Sequence, residues 1–379
     1  MRGTKADEIN ACLKQSYLWP HVCRLSLTKN MRAHITGDNS AEEFSKKLLL
    51  IGNGQTVKCG EYHMLPCGEL LNHSHELLQK VFPDLKSNHT SSTWLCERAI
   101  LAPRNDTVDA VNKTLLDEIP GDTQTFQSID SVNDDSETVK FPIEFLNGLK
   151  PSGMPPHKLF LKIGAPVMLL RNLDPPRLCN GTRLVVRSLS KYLVEATIIG
   201  GLYDGDIVAI PRIPLQSVDS NMPFTFRRLQ FPLRLSFAMS INKSQGQSLK
   251  VVGLHLVLPC FTHGQLYVGC SRVGSESNLF LYTPNEGRTE NIVYTEILEP
   301  EEHIENTAPV LSKSEEPMEL CNAETNNKER TVSFHNVDQT ISHIGTRNTT
   351  NIVSNGMRRS IVTGVTYADE NRKRKKGHQ

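Results

Sequence analysis

Leu233-Arg234-Leu235-Ser236-Phe237-Ala238-Met239 runs directly into Ser240-Ile241-Asn242-Lys243-Ser244-Gln245-Gly246-Gln247-Ser248. The first seven residues alternate in the manner of a strand. The polar, glycine-containing stretch that follows reads as a strand-to-helix junction. Two more junctions have the same form. Arg98-Ala99-Ile100-Leu101-Ala102-Pro103 is an apolar strand, followed by Arg104-Asn105-Asp106-Thr107. The next helix carries Val108, Val111 and Leu115 on one face, and its polar start supplies cap candidates. Val252-Gly253-Leu254-His255-Leu256-Val257-Leu258 is a third strand, ended by Pro259. Thr262-His263-Gly264-Gln265 then fits a capping box ahead of a helix over 265–272. Strands alternating with helices specify an α/β fold with a mostly parallel sheet.

Ligands of such sheets bind at the carboxyl ends of the strands. Asn242, Lys243 and Gly246 follow one strand, and Arg272 ends the helix after another. Gly246 permits close backbone approach. The set suits a polyanion, either a nucleotide phosphate or a nucleic-acid backbone. Taken singly, Lys243 reads as a solvated surface lysine and Arg272 as the partner of a surface carboxylate.

Working outward, residues 182–189, 193–199 and 206–210 are three short β-branched runs. Gly200-Gly201-Leu202-Tyr203-Asp204-Gly205 forms a turn between the last two, and no helical pattern intervenes. This texture predicts a small antiparallel barrel or meander inserted into the α/β unit. From about 284 the apolar runs thin out, and an acidic, Pro-broken segment follows. The chain ends in the basic run Arg372-Lys373-Arg374-Lys375-Lys376, a candidate nuclear localisation signal or a solvated charge run. A stretch that buries so little apolar surface is expected to be a disordered tail.

The whole chain has 379 residues, which suggests two to three domains at about 150 residues each. Its 42 Lys and Arg against 41 Asp and Glu leave a net charge of +1. That balance excludes attachment to nucleic acid or membrane by bulk charge and leaves room for a local basic groove. Hydrophobic residues at 38% and aromatics at 6% are low for a wholly globular chain, which agrees with a tail. No apolar run is long enough to span a bilayer, and the first residues lack an apolar signal core. The nine cysteines are odd in number and scattered, which points to a reducing compartment, nucleus or cytoplasm. Cys59, His63, Cys67, His73 and His75 have zinc-ligand chemistry but no C-x-x-C pair, so a polar loop with free thiols is expected and no metal is assigned.

Several segments together resemble Pif-type superfamily-one DNA helicases, in the branch that includes Helitron-like proteins. They are Leu25-Ser26-Leu27-Thr28-Lys29-Asn30-Met31-Arg32, Trp94-Leu95-Cys96-Glu97-Arg98 through Asn105, and Phe145-Leu146-Asn147-Gly148-Leu149. Met154-Pro155-Pro156-His157-Lys158-Leu159, Gly164-Ala165-Pro166 through Leu173, and Cys179-Asn180-Gly181-Thr182-Arg183-Leu184 continue the series. Ile241-Asn242-Lys243-Ser244-Gln245-Gly246-Gln247 and Gln265-Leu266-Tyr267-Val268 with Ser271-Arg272-Val273 complete it.

The resemblance implies two RecA-like domains with ATP and Mg²⁺ between them and single-stranded DNA across their top. This chain is expected to hold the second RecA-like domain in 1–160 and 225–285. The inserted barrel, Src-homology-three-like, is expected in 161–224, and a disordered tail in 286–379. By resemblance Arg32 and Arg272 are the catalytic arginines that reach the γ-phosphate, where a guanidinium fork stabilises growing charge. Gly246 and Gln247 lie near the nucleotide, and Asn105, Ser240, Asn242 and Lys243 lie along the DNA backbone. Ser240 stands where the family has Thr, and Arg177 where Gly is common. Gly269-Cys270 replaces an Ala-led pair, at a helix cost of up to about 1 kcal/mol.

No Gly-Lys-Ser or Gly-Lys-Thr occurs, and no apolar strand ends in an Asp-Glu pair. The first 21 residues resemble the stretch just after the family's motif III, so the first RecA-like domain is expected to be missing and the chain inactive alone. Three readings follow: part of a DNA-unwinding helicase of repair, recombination or telomere maintenance; an ATPase-dead single-strand-binding module; and an interaction protein that docks on an intact helicase. The implied partners are single-stranded DNA or DNA junctions and a protein carrying the first RecA-like domain, with no membrane.

Overall fold

The structure is a computed structural model and describes residues 4–23, 39–132, 140–217 and 224–298. Its centre is a parallel sheet in the order Ala238–Ser240, Arg98–Ala102, Val251–His255, Leu279–Tyr282, Glu69–Leu71. Every residue of Arg98–Ala102 is buried. The two-residue pleat sends alternate side chains to opposite faces. Ala99 and Leu101 join a core with Leu48, Leu254 and Leu266, while Ile100 and Ala102 join one with Leu77, Val81 and Val111. Helices Asn39–Gly52 and Gln265–Cys270 supply the first face. Helices Ser74–Val81 and Asn105–Glu118 supply the second, the latter through Val108, Val111 and Leu115, the stripe its sequence shows.

The run 233–239 is not one strand. Leu233–Leu235 pairs antiparallel with Pro166–Leu169, and Ala238–Ser240 pairs parallel with Arg98–Ala102. At the crossing, Ser236 N–H donates to the Pro166 carbonyl at 2.9 Å and Ile100 N–H to the Phe237 carbonyl at 2.9 Å. Ser236 and Phe237 are both buried, because each packs against a different sheet. After Ser240 the chain makes only a 3-10 turn, Ile241–Ser244. The Ser244 hydroxyl donates back to the Ile241 carbonyl at 2.6 Å, and Gly246 at φ +78° then turns the chain away. The third junction also differs from expectation. Helix Gln265–Cys270 starts after Gly264 at φ 68°, with no side-chain cap. Instead of boxing with Thr262, the Gln265 side chain accepts from Phe261 N–H at 3.0 Å. Gly269 serves packing: a Cβ there would lie 2.9 Å from Leu254 Cδ2, so its absence lets helix and central strand close together.

The inserted region is antiparallel, in the order Ile207–Pro211, Leu193–Ile198, Arg183–Leu189, Pro166–Leu169, Leu233–Leu235. Its two edge strands do not pair with each other among the described residues. A two-stranded antiparallel sheet of Gln124–Gln127 with Lys158–Leu161 packs Phe126, Leu159 and Leu161 into the same core. A third sheet joins Ile213–Gln216, Phe226–Gln230 and Ile129–Val132. In this part of the chain antiparallel pairing therefore runs from Gln124 to Leu235, wider than 161–224. The alternation in 124–132 and 158–161 is too short to assign to one sheet without the partner strands.

Beyond 285 the chain is still packed. Arg288–Thr289 pairs with Tyr62–Met64, and the Asn291 side-chain amide donates to the Ile51 carbonyl at 2.8 Å. A tail beginning at 286 is thereby corrected, because two short buried positions, Thr289 and Asn291, anchor what reads as a polar stretch. Residues 299–379, with the basic run Arg372–Lys376, lie outside the described residues, as does Arg32. In the Cys59 to His75 stretch, His63 is buried with Nδ1 2.7 Å from the Thr56 hydroxyl, Cys67 is in the core and Cys59 is exposed. Among the described residues no helix is long and apolar enough to cross a membrane.

Candidate nucleic-acid interface

The sheet's carboxyl edge is built by parallel register. Ser240 stands opposite Ala102, so the segments that follow the two strands, 241–247 and 103–105, emerge side by side. Asn105, Asn242 and Lys243 are exposed on this edge, and Ser240 is half-buried. The inserted region meets them there. Lys243 Nζ donates to Asn180 Oδ1 at 3.1 Å. Arg234 Nη1 donates to Asn105 Oδ1 at 3.3 Å, and its Nη2 pairs with Asp109 Oδ1 at 2.6 Å. Partial burial, and then the positive charges of Arg171 and Arg234, hold the Lys243 ammonium below its ordinary value. Three cations thus share one edge with Asp109 and three asparagines. An anion placed there would relieve their repulsion.

Arg272, Gly246 and Gln247 form a second group on the other side of the same loop. Arg272 Nη1 donates to the carbonyls of Ser244 at 3.3 Å and Gln247 at 3.2 Å. Its Nε donates to Val268 at 2.7 Å and its Nη2 to the Ser271 hydroxyl at 2.7 Å. The guanidinium thus clamps the loop that carries Asn242 and Lys243. The structure brings seven of the eight expected site residues onto one loop and its flanks. Arg32 lies outside the described residues.

Arg171, Asn180, Arg234 and Gln265 complete the site and were not singled out by sequence. Arg171 and Asn180 stand inside family-like segments, which is the signal that was available. Arg234 is the charged residue of an alternating run, so its outward placement follows from the strand period. Gln265 is 2% exposed, and its Nε2 reaches Asn242 Oδ1 at 3.4 Å. No local pattern distinguishes it from a capping glutamine.

A buried guanidinium fixes the inserted region to the central sheet. Arg183 donates to the carbonyls of Cys96 at 2.9 Å, Leu95 at 3.1 Å, Arg98 at 3.3 Å and Ser236 at 3.3 Å. Burial pushes it below its ordinary value, but a guanidinium remains charged. Leu95 and Cys96 end helix Ser92–Cys96, where free carbonyls need donors. The two halves of the edge are therefore held in fixed relation by Arg183.

Residues 1–61 match the family described as PIF1-like helicase, and residues 144–189 match the one described as DNA helicase Pif1, 2B domain. The chain is 36% identical over 183 residues to the ATP-dependent DNA helicase PIF1 of Rattus norvegicus, covering 47% of this chain and 26% of that protein. It is 32% identical over 185 residues to the human protein of the same name, with the same two shares. The chain thus spans about a quarter of the length of these relatives. The crystal structure of the Pif1 helicase from Candida albicans aligns at a TM-score of 0.49 and 22% identity, over 75% of this chain and 62% of that one. By these matches in sequence, over residues 1–61 and 144–189 and about half of the chain in all, the chain is similar to Pif1-type helicases.

Proposed function

We propose that this chain carries the second, RecA-like motor domain of an ATP-dependent DNA helicase, and that its own chemistry is to hold single-stranded DNA along the carboxyl edge of the parallel sheet. The contact between Lys243 and Asn180, with Arg171 and Arg234 beside it, carries the reading. It joins the loop after a sheet strand to the inserted region and concentrates positive charge where the resemblance puts the DNA backbone. Asn105, Ser240 and Asn242 add neutral polar groups on the same line, suited to phosphate and sugar oxygens. The inserted region, read as the Src-homology-three-like domain, supplies one wall of this track. DNA unwinding, junction binding and a role in repair, recombination or telomere maintenance belong to the intact family and are proposed for the parent assembly.

ATP with Mg²⁺ supplies the energy of unwinding in that family. The residues of this chain do not fit the pair by themselves. Arg272 offers a guanidinium, but four of its hydrogen bonds are already made to the protein. The Gly-Lys-Ser/Thr cradle for the phosphates is absent from the sequence. We therefore derive no hydrolytic step from this chain, and propose that it does not turn over ATP without a protein carrying the first RecA-like domain. The basic run 372–376 supports a nuclear location, which unchanged nuclear distribution after its deletion would contradict.

The test is binding of an oligothymidine to the full chain across a salt series. We expect log affinity to fall linearly with log salt, at about 0.7 per phosphate neutralised. Lys243→Glu should lower both affinity and slope. Salt-independent binding would refute the reading. ATP turnover by the purified chain, exceeding that of Arg272→Ala, would refute the requirement for a partner domain.

A further inference from the structure

Phe261 lies beside this edge and has no part in the backbone contacts just described. Its neighbour Cys260 is wholly buried, yet Phe261 itself is 47% exposed. Two bonds fix its place. Its N–H donates to Gln265 Oε1 at 3.0 Å, and Gln265 Nε2 donates onward to Asn242 Oδ1 at 3.4 Å. Gln265 is thus a buried strut between the aromatic residue and the DNA-facing loop. On the other side, the Arg104 guanidinium carbon stands 5.6 Å from the Phe261 ring centroid. Arg104 directly precedes Asn105, whose side chain accepts from Arg234. Phe261 is therefore tied to both ends of the basic row, to Asn242 through Gln265 and to Asn105 through Arg104. Val257 and Leu258, in the same segment, are exposed as well.

Single exposed phenylalanines are ordinary on protein surfaces. This one differs in being held by a buried side chain and flanked by a guanidinium. We propose that Phe261, with Arg104, is a base-stacking platform: the cationic row holds the phosphates of a single strand, and Phe261 takes the flat face of one base. Guanidinium and aromatic ring both stack on nucleobases, and a ring reads no sequence because every base has a π-face. Gln265 is a positioning residue, setting the distance between the platform and Asn242. The inference rests on the single-strand reading above, and the experiment separates the two.

The full chain is titrated with an oligothymidine and with an abasic oligomer of equal length, which keeps the phosphates and lacks the bases. The parent is expected to favour the oligothymidine. Phe261→Ala should weaken oligothymidine binding about tenfold, leave abasic binding and the salt slope unchanged, and so erase the preference. Phe261→Tyr should retain it. Equal binding of both oligomers by the parent, or oligothymidine binding by Phe261→Ala at the parent level while Lys243→Glu loses it, overturns the platform and leaves the cationic row standing. No salt-dependent binding of either oligomer by the parent sinks the single-strand reading and the platform with it. If Phe261→Ala does not fold, Phe261→Trp decides: its fluorescence should be quenched by oligothymidine and not by the abasic oligomer, and an equal response to both overturns the platform.

Discussion

A buried arginine and a cluster of cations at the sheet's edge show how this protein treats charge in opposite ways. Inside the inserted region, Arg228 is 1% exposed and makes a two-pronged pair with Asp130, at 2.8 and 2.6 Å. Its remaining donors reach the carbonyls of Leu146, Leu149 and Pro155, and the Ser128 hydroxyl serves Asp130 at 2.7 Å. At the sheet's edge, Arg171, Arg234 and Lys243 stand together, with Asp109 paired to Arg234. Buried charge must be matched on the spot, because desolvation of an unpaired ion costs several kcal/mol. Solvent tolerates the mismatch at the edge, so an excess of one sign can be kept for a ligand. The contrast separates residues that hold the fold from residues for which we propose a polyanionic partner.

Breaking the interior pair should give the largest effect. Arg228→Met leaves Asp130 buried and uncompensated, and we expect a loss of about 3–5 kcal/mol in denaturant unfolding. Arg228→Met combined with Asp130→Leu should recover most of it, since apolar replacement of both partners removes the desolvation cost. Recovery by neither change would mean that the carbonyl contacts, and not the ion pair, dominate.

Acid should reveal the same interior. His157 lies against Asp130, with Nδ1 2.8 Å from the Ser128 hydroxyl. Burial holds His157, His63, His255 and His263 below the ordinary histidine value of 6.5. A base whose folded value is depressed binds fewer protons folded than unfolded. Stability is then complete above 6.5 and declines as pH falls through that value toward the folded values. Urea midpoints measured from neutral to mildly acid pH should fall on acidification. A flat series would contradict the burial of these rings.

Sequence carried this contrast unevenly. The helix 105–118 and its buried stripe follow from periodicity, whereas 240–247 reads as the entry to a helix and forms only a 3-10 turn. The split of 233–239 between two sheets does not follow from periodicity, because alternation cannot say which sheet a strand joins. The Arg228–Asp130 pair spans 98 residues and the Lys243–Asn180 contact 63. Neither has a local signature, since long-range pairing is decided by tertiary packing. Family-like motifs point to Lys243, Asn242 and Arg272 as candidates, whereas Arg234 and Gln265 are picked out only by the neighbours that the fold brings to them.

At the edge, the effects are smaller and concern binding. Lys243→Glu should weaken oligothymidine binding at least about tenfold and lower the salt slope by about one. It should leave the unfolding free energy within about 0.5 kcal/mol, as for exposed positions generally. The binding also carries a pH signature. Because Lys243 is held below the ordinary lysine value of 10.5, affinity should begin to fall before that pH is reached. In Lys243→Glu that alkaline fall should be absent.

The smallest change tests the surplus of charge itself. Asp109 is half-exposed and pairs with Arg234, which also donates to Asn105. An exposed pair of this kind contributes about 0–1 kcal/mol to stability, so Asp109→Asn should barely move the unfolding midpoint. It raises the net positive charge of the edge and keeps an oxygen that accepts from Arg234. If the edge is tuned for a polyanion, oligothymidine binding should tighten about two- to threefold at low salt, with the gain fading as salt screens it. A matching fall in affinity would show that Asp109 is needed to aim Arg234, and that geometry outweighs charge on this face. The sign of one small change thus distinguishes a field from a fitted contact.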